Sequence, residues 1–568
     1  MKNLIKILIT AVIVGVTATS CTDDFAEVNQ NPSMVTDPDI RHLFTSSIFD
    51  LGHDGRYTEW FYNNYNYFYR YSQATIFSGG NSGDFNRHGA VGLPSPYGMM
   101  RNLFEIRKII DDMPDADKAN RTHVKAITYI PPVLLALKNS DMRGSIAWSE
   151  AMRGRYENHY TPKYDNQQEL FEQWLGELNS AIDVLLSDAS NQVTYGPQDF
   201  IYNGDFAKWA RLANTMKLRI AIRLENTDQQ WMQQIINDAL SNPAGLITDQ
   251  EHELIWSPAT TYRGEAQDFW GAPTAAQNFV SKLVELRDPR THLFFDPNGL
   301  DQDAVDILTA QGKNLPDWVD PNVPVDRWDR YRGGPVAPDY AGQTPWFGPL
   351  TDDDNQGYAR LSHINRRFFN PHYDGGNGYW REYMVSAAET AFYMAEFIEK
   401  GYVTGEGTAA EWYELGVRAS FNAYNDIART HGVYDYEEFA ATEAQINDYL
   451  AQPDVALDGS NDLEKIYFQQ FINFFRYPNE LFALVRRTGF PSRTGEILPW
   501  EPVLSNNVEL ILPRRFGVNE PSNPINIDNW RAAMEEQGWT HGTVEGSVLN
   551  QERVWWDINN PNFGEGSW

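Results

Sequence analysis

Side chains that could act as acids, bases or nucleophiles are numerous in this chain, but they form no recognisable catalytic pattern. The 11 histidines are scattered, and none has the His-Glu-x-x-His spacing that binds zinc from one helix face. The segment SGGNSGD at 78–84 lacks the Gly-x-Ser-x-Gly spacing of a hydrolase nucleophile. The chain has too many carboxylates to exclude a glycosidase pair by counting them, and no two are singled out by their positions in the sequence. We predict no catalytic residues and no enzymatic activity, and a surface hydrolase stays open as an alternative.

Two further patterns bear on cofactors. Asp352, Asp353 and Asp354, followed by Gln356-Gly357, resemble the first half of a calcium loop, but His363 occupies the position where such a loop has glutamate. Gly405-x-Gly407-x-x-Ala410 fits a dinucleotide fingerprint in spacing only, since a helical pattern rather than a strand precedes it. We predict no cofactor and no metal, with structural calcium at 352–357 as an alternative.

Cys21 is the only cysteine of the chain, so it has no partner for an intramolecular disulfide. Lys2 and Lys6, the apolar run 7–16 and the small residues 17–20 precede it in the layout of a secretory signal. The apolar run is shorter than the roughly 20 residues that span a bilayer. A cysteine directly after such a segment indicates acylation, so we predict a signal peptide at 1–20 and a lipid anchor at Cys21. An ordinary signal peptide with a chance cysteine is the alternative.

The formal net charge of −31 excludes some partners. Nucleic acid requires a basic face, and anionic lipid attracts basic rather than acidic segments. We therefore predict no nucleic-acid partner, and contact with a membrane only through the lipid anchor. Residues 21–38 contain acidic residues, asparagine and proline with little to bury, which indicates a flexible tether.

Helical patterns dominate the body. From Asn166 onward, Leu170, Trp174 and Leu178 begin one apolar stripe, and Asp205 is a plausible N-cap for a second helix. A helix pair follows at 386–424, in which Trp412-x-x-Leu415-Gly416 matches the start of a tetratricopeptide helix. The patterns predict a mainly α fold of packed helix pairs.

Between about 250 and 380 the chain is rich in proline, glycine, aspartate and aromatic residues. Long irregular segments inside a large domain are usually functional. The chain has 18 tryptophans and 29 tyrosines, and such rings in loops suit stacking against a flat, hydroxylated ligand such as a sugar. The aromatic run at 57–71 has helical spacing, which favours a core position instead.

A set of short motifs, in chain order, resembles the SusD-like family of surface glycan-binding lipoproteins, close to its starch-binding-associated branch. The matching segments are Asp141-x-x-Gly144 with Trp148-Ser149-Glu150-Ala151, Pro162-Lys163-Tyr164-Asp165, Gly204-Asp205 through Lys208-Trp209 and Ala213-Asn214 to Leu218-Arg219, Arg287-Asp288-Pro289-Arg290, Ala388-Glu389 with Ala395-Glu396, Arg486-Arg487-Thr488-Gly489 and Pro513-Arg514-Arg515-Phe516. Each motif is weak alone, but their order behind a lipidation signal is specific.

The resemblance implies tetratricopeptide-like helix pairs that form one large body at 39–568, carrying a loop-rich, aromatic-rich face. It also implies an outer-membrane location facing the cell surface and a partner, a TonB-dependent barrel of the SusC type. The implied function is to bind oligosaccharides or polysaccharides and deliver them to that barrel. Some relatives serve other cargo, so a peptide or another non-glycan nutrient is the alternative ligand.

Glycan binding without chemistry needs aromatic faces and polar groups for hydroxyls. Our candidates lie in the irregular segment, where the family tends to place part of its ligand platform: the rings of Trp318, Trp328, Tyr331 and Trp346, with Asp329 and Arg332 as hydroxyl partners. Trp256, Tyr262 and Trp270 are further candidates. The alternative for each ring is that it fastens its own loop to the body.

Overall fold

The fold is described from a computed structural model, which covers residues 38–52, 58–76, 86–87, 95–258, 273–341 and 348–568, without the side chains of 58–62, 340 and 341. The predicted signal peptide, Cys21 and the tether up to residue 37 lie outside these residues. Helices dominate the described chain, and none of its helices is long and apolar enough to cross a membrane.

The α-helices of six residues or more are, in chain order, α1 (Ile40–Phe49), α2 (Tyr97–Asp111), α3 (Thr122–Ile127), α4 (Pro131–Arg143), α5 (Gln167–Leu185), α6 (Phe206–Arg223), α7 (Gln229–Ser241), α8 (Gln277–Glu285), α9 (Gln302–Ala310), α10 (Ala387–Glu399), α11 (Ala409–His431), α12 (Glu443–Leu450), α13 (Asp462–Asn473), α14 (Pro478–Thr488), α15 (Ile527–Glu536) and α16 (Gly546–Gln551). A π-helical segment, Thr58–Phe68, follows α1. Shorter helical turns connect these elements.

Strands are short and occur in three antiparallel pairs within the described residues. β1 (Leu254–Trp256) pairs with β4 (Glu382–Val385), β2 (Leu350–Thr351) with β3 (Gly357–Tyr358), and β5 (Leu504–Ser505) with β6 (Val508–Glu509). The mainly α prediction is therefore confirmed.

Local sequence explains where the helices begin and which face they bury. Asn166 accepts a hydrogen bond from the Glu169 amide and starts α5, whose predicted stripe of Leu170, Trp174 and Leu178 is buried. Asp205 accepts from the Lys208 amide and starts α6, as predicted. α5 packs against α6, and α6 packs against α7, as consecutive helix pairs.

The α10–α11 pair shows why the tetratricopeptide-like motif that begins at Trp412 has a glycine at position 416. A Cβ atom on Gly416 would lie 2.7 Å from the ring of Phe392 in α10, so only glycine lets the two helices approach this closely. α11 begins with a reciprocal cap between Thr408 and Glu411 and ends at Gly432 in the left-handed conformation.

One large hydrophobic core runs through the helical body and includes Tyr65, Phe68, Tyr69 and Tyr71 of the aromatic run, as predicted. A second, small core forms from α9 and the β2–β3 hairpin. It consists of Leu300, Ala304, Val305, Leu308, Leu350 and Tyr358, with Leu315, Val319 and Val325 packed against them. This small unit stands beside the extended segments that carry the candidate site.

Candidate ligand-binding face

Several extended segments meet at one face of the body, where isolated bridges rather than regular sheets join them. We call these segments the extended platform; they are residues 74–76, 273–276, 295–299, 330–334 and 359–365. Thr274 bridges His363, and Phe295 bridges Ile364. The amide of Ile76 donates to the carbonyl of Thr274 at 3.0 Å. The platform therefore gathers stretches of chain that are far apart in sequence.

In the platform segments at 295–299 and 359–365, buried side chains stand next to exposed ones, whereas every residue of 74–76 and 273–276 is buried. Phe295 and Ile364 are fully buried, whereas the adjacent Asp296 is exposed and His363 is half-exposed. Successive residues of an extended chain point to opposite sides, so the polar members of these pairs face away from the core. The side of these segments that faces away from the core, the outer face of the platform, therefore carries polar side chains.

A recess between the platform and the small core contains Trp318. Its volume is about 150 Å³, and its lining consists of Asn298, Leu300, Trp318, Val319, Asp320, Val323, Pro324, Val325 and Asp329. A cavity of about 150 Å³ in another protein accommodates benzene, so the recess has room for a group of the size of one six-membered ring. We call it the Trp318 recess.

The recess brings together three residues that the sequence predicted for the ligand site. Trp318 is half-buried, and the guanidinium carbon of Arg332 lies 4.1 Å from the centroid of its ring, which fixes the indole through a cation–π contact. Asp329 lies at the exposed rim. An aromatic wall with charged groups beside it is the chemistry that sugar recognition requires.

Trp328 and Tyr331 instead pack around His292. The ring of His292 lies 4.6 Å from Trp328, 4.9 Å from Tyr331 and 4.8 Å from Phe439. Burial, with a smaller contribution from Arg327, lowers the pKa of His292 to about 3, so the imidazole is neutral. This packing fastens the turn that carries Trp328 and Tyr331 to the body, which is the alternative to a ligand role. Their contact with a ligand stays a prediction, confined to the parts of the rings that solvent reaches.

The remaining candidate rings divide into two groups. Trp346, Tyr262 and Trp270 lie outside the described residues. Trp256 in β1 is fully buried, and its indole N–H donates to the carbonyl of Ile48 at 3.1 Å. A surface ligand cannot reach this ring, so Trp256 is a core residue.

The aspartate run at 352–354 forms a hairpin turn between β2 and β3. One carboxylate oxygen of Asp352 accepts hydrogen bonds from the amides of Asp354 (2.9 Å) and Gln356 (2.8 Å), and the other accepts from the hydroxyl of Tyr358 (3.0 Å). Hydrogen-bond donors of the protein therefore occupy the carboxylate oxygens that a calcium ion would need as ligands. Across the described ranges, no three His, Cys, Asp or Glu side chains are grouped to hold a metal ion.

Several residues of the motifs that carried the family resemblance are buried and hold the body together. Asp165 accepts hydrogen bonds from the amides of Trp148 and Ser149, each at 2.9 Å, and so joins two of the motifs. Arg290 and Asp288 form a buried two-bond ion pair at 3.0 and 2.7 Å. Neither of these two motif contacts forms part of the outer face.

Two larger groups of buried charges connect helices that are distant in sequence. In the first, Arg219 binds both oxygens of Glu389 at 2.7 and 2.6 Å, and Arg223 binds Asp141 at 3.0 Å and Glu480 at 2.7 Å. Burial acts to raise the pKa of Glu480, but the two arginines outweigh it and lower that pKa. These contacts join α4, α6, α10 and α14.

The second group, the Arg487 cluster, consists of Arg487, Glu396, Glu225 and Lys400. Arg487 binds Glu396 at 2.5 and 2.8 Å and Glu225 at 2.5 Å, while Lys400 binds Glu225 at 2.5 Å and Glu396 at 3.2 Å. Burial acts to raise the pKa of Glu396, yet Arg487 and Lys400 hold it at about 2. The structural role of these motif residues was not predicted from the sequence.

Two family models match the chain. The model described as Susd and RagB outer membrane lipoprotein matches residues 65–317, and the one described as starch-binding associating with outer membrane matches residues 351–517. The chain belongs to the SusD-like family. The predicted family is thus confirmed, and its description supports an outer-membrane location.

Solved structures of SusD-like proteins share this fold. A chitin-binding protein is 21% identical, with a TM-score of 0.66 over 92% of this chain and 100% of its own. A chitin-binding SusD homologue from Flavobacterium johnsoniae is also 21% identical, with a TM-score of 0.60 over 92% and 100%. A SusD homologue from Bacteroides fragilis is 21% identical, with a TM-score of 0.63 over 92% and 99%. No curated protein sequence matches the chain.

Proposed function

We propose that this SusD-like protein binds a glycan at the outer face of the extended platform, with the ring of Trp318 as the stacking surface. The observation that carries the proposal is the Trp318 recess, where Arg332 fixes a half-buried indole and Asp329 lies at the rim. The apolar side of a sugar ring packs on such an indole, and its hydroxyls bind the charged groups around it.

The comparisons support the class of ligand. Two structures of this fold are named as chitin-binding, and one family model is described as starch-binding. At 21% identity these names do not specify the sugar for this chain. The common chemistry is a polymer of neutral hexose units.

We further propose that Cys21 is acylated, that the protein faces the cell surface, and that it passes its ligand to a TonB-dependent barrel of the SusC type. The sequence before Cys21 and the family description support the anchor. A Cys21→Ala variant should leave the membrane fraction and appear in the soluble fraction. Protease treatment of whole cells should degrade the wild-type protein, and the barrel should co-purify with it from detergent extracts.

Affinity electrophoresis of the full chain in mild detergent, with polysaccharides cast in the gel, tests the glycan role. One neutral polysaccharide should retard the wild-type protein, and Trp318→Ala should weaken binding about tenfold or more, because burying an aromatic ring on a ligand contributes about 1.5–3 kcal/mol. Trp568→Ala is the matched control, since that exposed ring packs on Tyr467 and Phe490 rather than in the recess.

Other results would favour other functions. Retardation by no polysaccharide, together with binding to peptide digests, would support a non-glycan nutrient. Release of reducing sugar from a bound glycan would support the hydrolase alternative. Equal loss of binding in Trp318→Ala and Trp568→Ala would remove the recess as the site.

A further inference from the structure

A recess lies between α3 and α5, on elements that do not carry the glycan site proposed above. Its volume is about 590 Å³, which falls within the roughly 300–1,000 Å³ of small-molecule sites in proteins. We call it the α3–α5 recess; its lining consists of Thr122, Lys125, Ala126, Tyr129, Gln173, Gly176, Glu177, Ser180, Ala181 and Val184. None of these residues belongs to the extended platform or lines the Trp318 recess, so this is a second candidate site.

A glycine in the middle of α5 leaves part of this recess open. Gly176 is exposed, and a Cβ atom built on it would meet no atom within 4 Å. By contrast, the ring of Phe392 leaves no room for a Cβ atom at Gly416 of α11. Glycine inside a helix is destabilising relative to alanine. Packing within the described chain therefore does not explain Gly176, whereas a ligand that lies against the backbone of α5 would explain it.

The residue after this glycine supplies a negative charge. Glu177 is half-buried, and the indole N–H of Trp148 donates to its Oε1 atom at 3.3 Å. The Oε2 atom has no hydrogen-bond donor in the described chain. Burial raises the pKa of Glu177 to about 7, with Arg107 and the indole of Trp148 partly opposing it. Trp148 thus holds one carboxylate oxygen in place and leaves the other for a further donor.

The cations that could neutralise Glu177 bind other groups. Lys125 lines the recess, but its Nζ atom binds Asp111 at 2.5 Å. The charge of Arg107 acts on Glu177, but its guanidinium donates to the hydroxyl of Thr128 at 3.0 Å and to its carbonyl at 3.2 Å. Neither cation forms an ion pair with Glu177. A half-buried carboxylate without an ion pair favours a ligand that brings a positive charge.

An aromatic ring and apolar side chains complete the lining. Tyr129 is half-buried, and the guanidinium carbon of Arg107 lies 3.9 Å from the centroid of its ring, which fixes the ring through a cation–π contact. Ala126, Ala181 and Val184 add apolar surface. An aromatic ring beside a carboxylate is a combination that binds organic ammonium ions, and the apolar side chains suit the carbon body attached to such an ion.

We propose that the α3–α5 recess binds a small organic cation, namely an amine on an alkyl or aryl body. Its ammonium group donates to Glu177, and its apolar body lies on Tyr129 in the space that Gly176 leaves open. The net charge of −31 favours cations over anions at the surface of this chain. The proposal is independent of the glycan role, which concerns other residues.

Calorimetry of the full chain in mild detergent at pH 8 tests the proposal with matched probes. Phenethylamine is paired with phenylethanol, and hexylamine with hexanol, so each pair differs in the ammonium group alone; phenylpropionate supplies a negative charge. We expect at least one amine to bind, and its alcohol to bind about tenfold more weakly, because hydrogen bonds between charged groups are stronger than those to a neutral hydroxyl. Phenylpropionate should not bind.

Two substitutions test the position of the site. Glu177→Gln should bind the amine about tenfold more weakly and lose the preference for amine over alcohol. Gly176→Leu should fill the open space and abolish binding. Glu172→Gln is the matched control, since Glu172 is an exposed glutamate of α5 outside the lining, and its affinity should equal that of wild type.

The same variants show whether a loss of binding reflects misfolding. Leucine favours a helix more than glycine does, and Glu177→Gln removes a desolvated charge. The Tm of both Gly176→Leu and Glu177→Gln at pH 8 should therefore equal or exceed that of wild type, while amine binding is lost or weakened. The amine itself should raise the Tm of wild type and leave that of Gly176→Leu unchanged.

Four results would each overturn the proposal. The first is that neither amine binds, and the second is that each alcohol binds as tightly as its amine. The third is equal affinity of wild type, Glu177→Gln and Gly176→Leu for the amine, which would place binding elsewhere. The fourth is a second copy of the chain in the recess, which light scattering would detect as a dimer of wild type and a monomer of Gly176→Leu.

Discussion

The Arg487 cluster offers a quantitative test of what holds the SusD-like scaffold together. Replacing Arg487 by methionine keeps a long side chain but removes one of two positive charges. The side chains of Glu396 and Glu225 are 0% and 4% exposed, so they would remain buried with Lys400 as their remaining cation in the cluster. The change therefore leaves one desolvated negative charge without compensation.

The expected loss of folding stability follows from that desolvated charge. Removing one partner of a buried ion pair costs about 3–5 kcal/mol. Unfolding entropy is about 2.1 cal/mol/K per residue, so the roughly 530 residues of the body correspond to about 1.1 kcal/mol/K. We expect Arg487→Met to lower the Tm by about 3–5 °C in differential scanning calorimetry.

Arg418 supplies the control, because it forms an exposed pair with Glu414 one helical turn earlier. Arg418→Met should change stability by about 0–1 kcal/mol. The double variant Arg487→Met/Glu396→Gln should recover part of the lost stability, since it removes one of the two carboxylates. A Tm for Arg487→Met equal to that of Arg418→Met would refute the view that this charge is buried and structurally required.

Two further predictions concern single carboxylates. Burial raises the pKa of Glu177 to about 7, with Arg107 and the indole of Trp148 partly opposing it. The folded pKa lies above that of an unfolded glutamate, so the group favours folding at low pH and this contribution is lost as the pH rises through 7. Glu177→Gln should therefore be more stable than wild type in urea at pH 8, but not at pH 5; equal stability at pH 8 would contradict this. Asp352→Ala should destabilise the β2–β3 hairpin by about 1–3 kcal/mol, because the donors that bind its carboxylate would lose their acceptor. Calcium should leave the Tm of wild type unchanged in calorimetry. A rise in Tm with calcium, reversed by a chelator, would reinstate the calcium loop.

The helical body could be predicted because its signals are local. Asn166 and Asp205 cap helices at the positions their side chains indicate, and the stripe from Leu170 onward is buried. Gly416 allows the close contact with Phe392 that its tetratricopeptide-like context implies. Each of these features depends on residues within one or two neighbouring elements.

The ion clusters could not be predicted, because their members come from distant parts of the chain. Arg219 and Glu389 are 170 positions apart, and Arg487 and Glu225 are 262 apart. For the aromatic candidates, composition could not separate Trp318, which lines a recess, from Trp256, which is buried in the core.

The positions of the motif residues explain why the family can be recognised from sequence, whereas the ligands of its members are harder to identify. Asp141, Arg219, Glu396 and Arg487 are buried and paired, so each tolerates few substitutions without stranding a charge. Exposed positions such as Asp329 at the rim of the recess carry no such constraint, because changing them leaves no buried charge unpaired. Proteins with 21% identity can therefore keep one fold while their binding faces differ. The ligand of this protein therefore has to be measured, and the proposed site at Trp318 and Arg332 is the place to test it.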